Sequence, residues 1–168
     1  GRILVRREGP SAAALEHLKL GARGALTSDP WREVAECCLG LGELEEGVRA
    51  ARQALRHDPL AALSYQPRGR PVPADPRPHR VLGQLRRQQG QRGAAILHHL
   101  RASQLWKQSR GDRVIKALGR DDSDLLWVGE LHEELGLPRE ALGHYLEAAK
   151  DPKLKEVAEE KARRLRGG

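Results

Sequence analysis

Phenylalanine, methionine and asparagine do not occur in this 168-residue chain, Thr27 is its single threonine, and aromatic residues make up 3% of it. The aromatics are Trp31, Tyr65, Trp106, Trp127 and Tyr145, so a core without Phe or Met must be built mostly from Leu, Ala and Val. No stretch alternates apolar and polar residues with β-branched side chains, so the strand signature is missing. Two cysteines, adjacent at Cys37 and Cys38, exclude a disulfide framework and suit a reducing compartment, so a cytoplasmic location is expected. No apolar run reaches about 18 residues, which excludes a membrane-spanning helix. The opening Gly1-Arg2-Ile3-Leu4-Val5-Arg6-Arg7 has charge but no apolar segment of signal-peptide length behind it. No methionine opens the chain, which reads as a fragment or processed form of a longer protein.

Charge is plentiful and unevenly placed. Arginine outnumbers lysine 23 to 7, and the net charge is +7. Residues 1–60 carry nine basic and nine acidic groups, residues 61–120 thirteen basic groups against Asp75 and Asp112, and residues 121–168 eight basic against twelve acidic groups. The segment charges are therefore 0, +11 and −4. A basic middle points to an acidic partner, either an acidic peptide or a nucleic-acid backbone. A solvated arginine-rich face in a compositionally biased protein gives the same tally.

Helical spacing dominates the chain. Apolar or small residues recur at Trp31, Val34, Ala35, Cys38 and Leu39, then, after Gly40-Leu41-Gly42, at Leu44, Val48, Ala51, Ala54 and Leu55. That is a helix, a tight glycine turn and a second helix, closed by Asp58-Pro59. The unit returns as Val81, Leu82 and Leu85, then Gly90, then Ala94, Ala95, Leu97 (or His98) and Ala102. It returns again as Leu125, Val128 and Leu131, then Leu135-Gly136, then Ala141, Leu142, Tyr145, Ala148 and Ala149. Gly42, Gly90 and Gly136 stand 48 and 46 residues apart. Upstream, Ala14–Leu26 reads as the closing helix of a truncated unit. Downstream, Asp151 is expected to cap a last helix over 152–166, with Leu154, Val157, Ala158 and Leu165 as its apolar stripe. The proline-rich stretch 62–75 is expected to be a surface loop, and 110–121 a second linker with room for a short helix at Arg113–Leu118.

Three stretches resemble the tetratricopeptide repeat family. Trp31, Ala35, Leu41-Gly42, Ala51, Ala54 and Pro59 are similar to one repeat, with Gly47 where alanine is usual. Leu82-Gly83, Gly90, Ala95 and Ala102 are similar to a second. Gly129, Leu135-Gly136, Ala141, Tyr145, Ala148 and Pro152 are similar to a third. The resemblance implies a single all-α domain over 1–168, a right-handed α–α superhelix of hairpins near 28–61, 76–109 and 122–155 with a C-terminal capping helix. The spacing of 46–48 also admits HEAT-type helix pairs.

Motifs for chemistry are few. Gly40-Leu41-Gly42 followed by Gly47 fits neither phosphate-binding glycine pattern. No GxSxG elbow surrounds a serine, and no carboxylate pair stands apart as an acid/base couple. His17, His57, His79, His98, His99, His132 and His144 include no zinc-type pair flanking a glutamate and read as surface or groove residues. Cys38 reads as a packed side chain. The expectation is a non-enzymatic protein-interaction scaffold with no cofactor and no metal, and an RNA-binding helical repeat as the alternative.

The resemblance implies that the first helix of each pair lines a concave groove for a peptide or partner helix. Mapped residue by residue, the groove candidates are Arg32, Glu36 and Leu39, then Arg77, Arg80, Gln84, Arg87 and Gln88, then Leu126, Glu130, Glu133 and Glu134. The family's carboxylate clamp uses asparagine, which this chain lacks. What remains is the row Arg77, Arg80 and Arg87, suited to an acidic amphipathic segment, with apolar contacts expected from Leu39 and Leu126.

Overall fold

The computed structural model describes residues 9–25, 27–57, 75–108 and 123–167. Among them the fold is all-α, with eight helices and no strand. The elements are α1 (Ala12–Ala22), α2 (Ser28–Leu41), α3 (Leu44–Arg56), α4 (Arg77–Gln88), α5 (Arg92–Gln108), α6 (Ser123–Glu134), α7 (Pro138–Ala148) and α8 (Lys155–Arg166). Most of the expected 62–75 loop and the short helix expected at Arg113–Leu118 lie outside the described residues. The chain divides into two compact units between Gly90 and Gln91.

In the first unit, α1 packs on α2, α2 on α3, and α4 lies against both α2 and α3. Ser11 starts α1 by accepting the backbone N–H of Ala14 on its Oγ at 3.2 Å. The turn between α2 and α3 needs glycine. Gly42 has φ +77° while the N–H of Glu43 returns to the carbonyl of Cys38 at 2.9 Å, the six-to-one bond of a glycine-terminated helix. Gly136 repeats this after α6, with φ +72° and the N–H of Leu137 on the carbonyl of His132. Small residues then let the hairpin close: Ala35 on α2 and Ala51 and Ala54 on α3 are fully buried. Gly47 has a further reason to be bare. A Cβ there would stand 2.7 Å from Leu85 Cδ2 and 3.1 Å from Cys38 Cβ, so the space is filled by a leucine from α4. Val81, Leu82 and Leu85 anchor α4 in this core, and full burial of each contributes about 1.5–3 kcal/mol.

In the second unit, α5 packs on α6, α6 on α7 and α7 on α8. Pro138 opens α7, where its missing N–H costs nothing. Three expectations are corrected here. Leu97 is 69% exposed, whereas Ala95, His99, Ala102 and Trp106 are buried. Those four follow the four-, three- and four-residue steps of one helix face, and Leu97 lies off it. The last helix starts at Lys155 rather than at 152. Asp151 Oδ1 accepts the N–H of Lys153 and its carbonyl accepts that of Leu154, so Asp151 caps a turn that precedes the helix. Val157 is 48% exposed, whereas Ala158 faces the core as expected and Ala162 takes the place expected for Val157.

Candidate functional site

On α2, Asp29, Arg32, Glu36 and Leu39 follow one another at steps of three, four and three residues, and on α4 so do Arg77, Arg80, Gln84 and Arg87. Each series is one stripe along a helix. The stripes meet at their starts, where Arg77 donates to Asp29 Oδ1 at 2.9 Å. The same guanidinium grips Asp75, with donor distances of 2.7–3.1 Å to its two oxygens, while Asp75 Oδ1 takes the backbone N–H of Arg77 at 2.9 Å. Asp75 is buried. Burial works against the Arg77 charge, but the bonds to Asp75 and the nearby Asp29 outweigh it and strengthen the guanidinium's hold on its proton. Arg77 is thus a clasp at the head of α4. Arg32 pairs along its own helix with Asp29 and Glu36. Arg80, Gln84 and Arg87 are half-buried and Gln88 is exposed. Leu39 is half-buried against the core.

The α6 candidates meet a different environment. Leu126 is 8% exposed and belongs to the core that α8 closes, which corrects its expected place in an open groove. Glu130 pairs with Lys161 of α8 at 3.1 Å, and both oxygens of Glu133 accept from Arg164 at 2.8 and 3.1 Å. The Tyr145 hydroxyl donates to Glu133 as well. Burial raises the Glu133 pKa, but these bonds prevail and hold it below the usual carboxylate range; burial and the same carboxylate push the Tyr145 phenol up. Glu134 accepts from Arg92 of α5 at 2.9 Å.

The cysteines are buried and free. Burial, then the nearby Glu46 carboxylate, pushes the Cys38 thiol up to about 12, and burial raises Cys37 too. Both are therefore poor nucleophiles. Among the described residues no group of three or more His, Cys, Asp or Glu is placed to hold a metal, and no helix is long and apolar enough to cross a membrane.

The histidines hold what sequence reasoning missed. His99 is fully buried, not on a surface or groove: its Nδ1 lies 2.8 Å from Oδ1 of the equally buried Asp124, and its ring tilts against Trp127 at 4.9 Å. The pair brackets α5 to α6, and its burial closes it to substrates. Only a helical register placing position 99 between Ala95 and Ala102 signalled it.

His132 and His144 stack at 5.0 Å between α6 and α7, with the His132 Nδ1–H donating to the carbonyl of Val128. Burial, then the neighbouring His132 ring and Lys107, hold His144 below its ordinary value of 6.5. Between that lowered value and 6.5 the unfolded chain binds a proton that the folded chain refuses. Stability should be intact above this window and fall as pH drops through it. Thermal melts from pH 7.5 to 5 should show the decline, and His144→Leu should flatten it; an unchanged slope in the variant would contradict the assignment.

No family model and no curated protein matches this chain.

Proposed function

We propose that the chain is a tetratricopeptide-like interaction module, its helix hairpins stacked as a right-handed superhelix, whose α2/α4 face holds an acidic amphipathic segment of another protein. The observation that carries this reading is the Arg77–Asp29 bridge. It joins the starts of two stripes of like spacing, Asp29, Arg32, Glu36 and Leu39 on α2 and Arg77, Arg80, Gln84 and Arg87 on α4, and the reading takes the two as one binding face. Arginines at positions 80 and 87 are about 10 Å apart along the helix axis, a spacing that acidic residues two helical turns apart match. Each partly exposed pair contributes about 0.2–1 kcal/mol, so the arginines set orientation and the apolar contact at Leu39 adds affinity.

The test is a fluorescence-anisotropy titration of the full chain with a labelled helical peptide bearing Asp or Glu at positions i, i+3 and i+7 beside a leucine face. Arg80→Gln/Arg87→Gln should weaken binding about tenfold, a loss of about 1.4 kcal/mol, with unchanged helical circular dichroism. Equal binding by the double variant would remove this face from consideration. An RNA oligonucleotide is the second arm, because the +11 segment also suits phosphates. Its binding should vanish at physiological salt; tight, sequence-selective RNA binding there would replace the protein partner with RNA.

A further inference from the structure

Helix α8 occupies a surface that its own side chains hold only lightly. Its contribution to the core is Ala158 and Ala162, with half-buried Leu154 and Leu165 at the two ends. The first unit supplies the comparison. There α4 lies across a helix hairpin with Val81, Leu82 and Leu85 fully enclosed. Here two alanines stand in for three large side chains, and Val157 on the same helix projects outward. The chain enters α8 through a turn built on Asp151, so α8 is tethered to α7 without being continuous with it.

The surface beneath α8 has an apolar floor and an acidic edge. Leu125, Leu126, Ala141, Tyr145 and Ala148 form an apolar floor. Along one edge stand Glu130 and Glu133, met by Lys161 and Arg164. The Tyr145 hydroxyl fixes Glu133 from the floor, and the Lys161 ammonium also lies 5.8 Å from the centre of the Tyr145 ring. The acidic edge is therefore positioned by α6 and α7 themselves. On α6, Leu126, Glu130 and Glu133 hold the helical register that Arg32, Glu36 and Leu39 hold on α2.

We propose that this α6/α7 surface is a docking seat for a basic, small-faced amphipathic helix of a partner protein, and that α8 is a built-in occupant which that helix displaces. The pattern the seat reads is given by α8: small residues at i and i+4 (Ala158, Ala162) for close approach to the floor, and Lys or Arg at i+3 and i+6 (Lys161, Arg164) for the two glutamates. Because α8 is tethered, it competes at a high effective concentration, and a free helix must overcome that advantage. The seat lies within the second unit and does not depend on the reading of the α2/α4 face.

The probe is a synthetic peptide of residues 153–167, tested on the full chain. Labelled peptide should bind the Lys161→Glu/Arg164→Glu chain, whose α8 is repelled by the seat, at least tenfold more tightly than the wild-type chain. A peptide carrying the same two reversals should not bind, and adding Glu130→Gln/Glu133→Gln to the loosened chain should cost at least tenfold. Equal affinity for the wild-type and loosened chains, or for the two peptides, would overturn the proposal. Hydrogen exchange on the wild-type chain gives a readout that needs no variant. Amides of α8 should exchange at least 100-fold faster than those of α7, and faster still in excess unlabelled peptide; protection equal to that of α7 and unmoved by peptide would overturn it. Concentration-dependent dimerisation of the loosened chain without peptide would assign the seat to a second copy and overturn the partner helix.

Discussion

Asp124→Ala is expected to destabilise the second unit by about 1–3 kcal/mol, because it leaves His99 enclosed without the carboxylate that satisfies its Nδ1. For a unit of this size each kcal/mol lowers Tm by about 4–8 °C, so the melting transition should fall by at least about 4 °C. The Nε2 of His99 has no hydrogen-bond partner among the described residues, so the ring has nothing to fall back on. Asp124→Asn keeps the shape and an acceptor oxygen and should cost clearly less. His99→Leu/Asp124→Leu removes both polar groups together and should recover much of the loss, since matched apolar groups of similar volume often replace a buried pair without penalty. A double variant as unstable as Asp124→Ala would mean that packing around Trp127, and not the polar pair, sets the cost.

Gly129→Ala should be the other large loss. A Cβ at position 129 would stand 2.4–2.9 Å from three ring atoms of Tyr145. That ring is fully buried and its hydroxyl is tied to Glu133, so it has no free direction in which to yield. Overpacking of this kind costs about 1–3 kcal/mol or more, and here it pries α6 from α7. Gly143→Ala on α7 is the matched control. Nothing lies within 4 Å of the atom it adds, and replacing a helical glycine with alanine should stabilise by about 0.5–1 kcal/mol. Opposite signs from two glycine-to-alanine changes on neighbouring helices, measured by urea denaturation, would confirm the close approach at Gly129. A neutral Gly129→Ala would refute it.

The helices were readable because apolar residues at three- and four-residue steps leave few other ways to bury a core. The turns were readable because a left-handed residue favours glycine, and Gly42, Gly90 and Gly136 all adopt positive φ. What the sequence hid depends on partners far along the chain. Asp124 lies 25 residues from His99, and nothing local marks either as buried. Leu97 is apolar but lies off the buried register of Ala95, His99, Ala102 and Trp106, so hydrophobicity alone does not place it. Local spacing says which face Leu126, Glu130 and Glu133 share but not what covers that face. Here α8 covers it. Arg77 likewise belonged to a basic row by sequence, and the fold ties it to Asp75 and Asp29.

The α2/α4 face is the centre of the functional reading, and it can be located directly. Backbone amide shifts of the ¹⁵N-labelled chain should be followed while the acidic amphipathic peptide is titrated in at physiological salt. The largest changes are expected at Glu36 and Leu39 on α2 and at Gln84 and Gln88 on α4, saturating together with one affinity. Changes confined to α3, α5 or the segment 58–74, or no saturable change at all, would contradict the reading and move the binding function off this face.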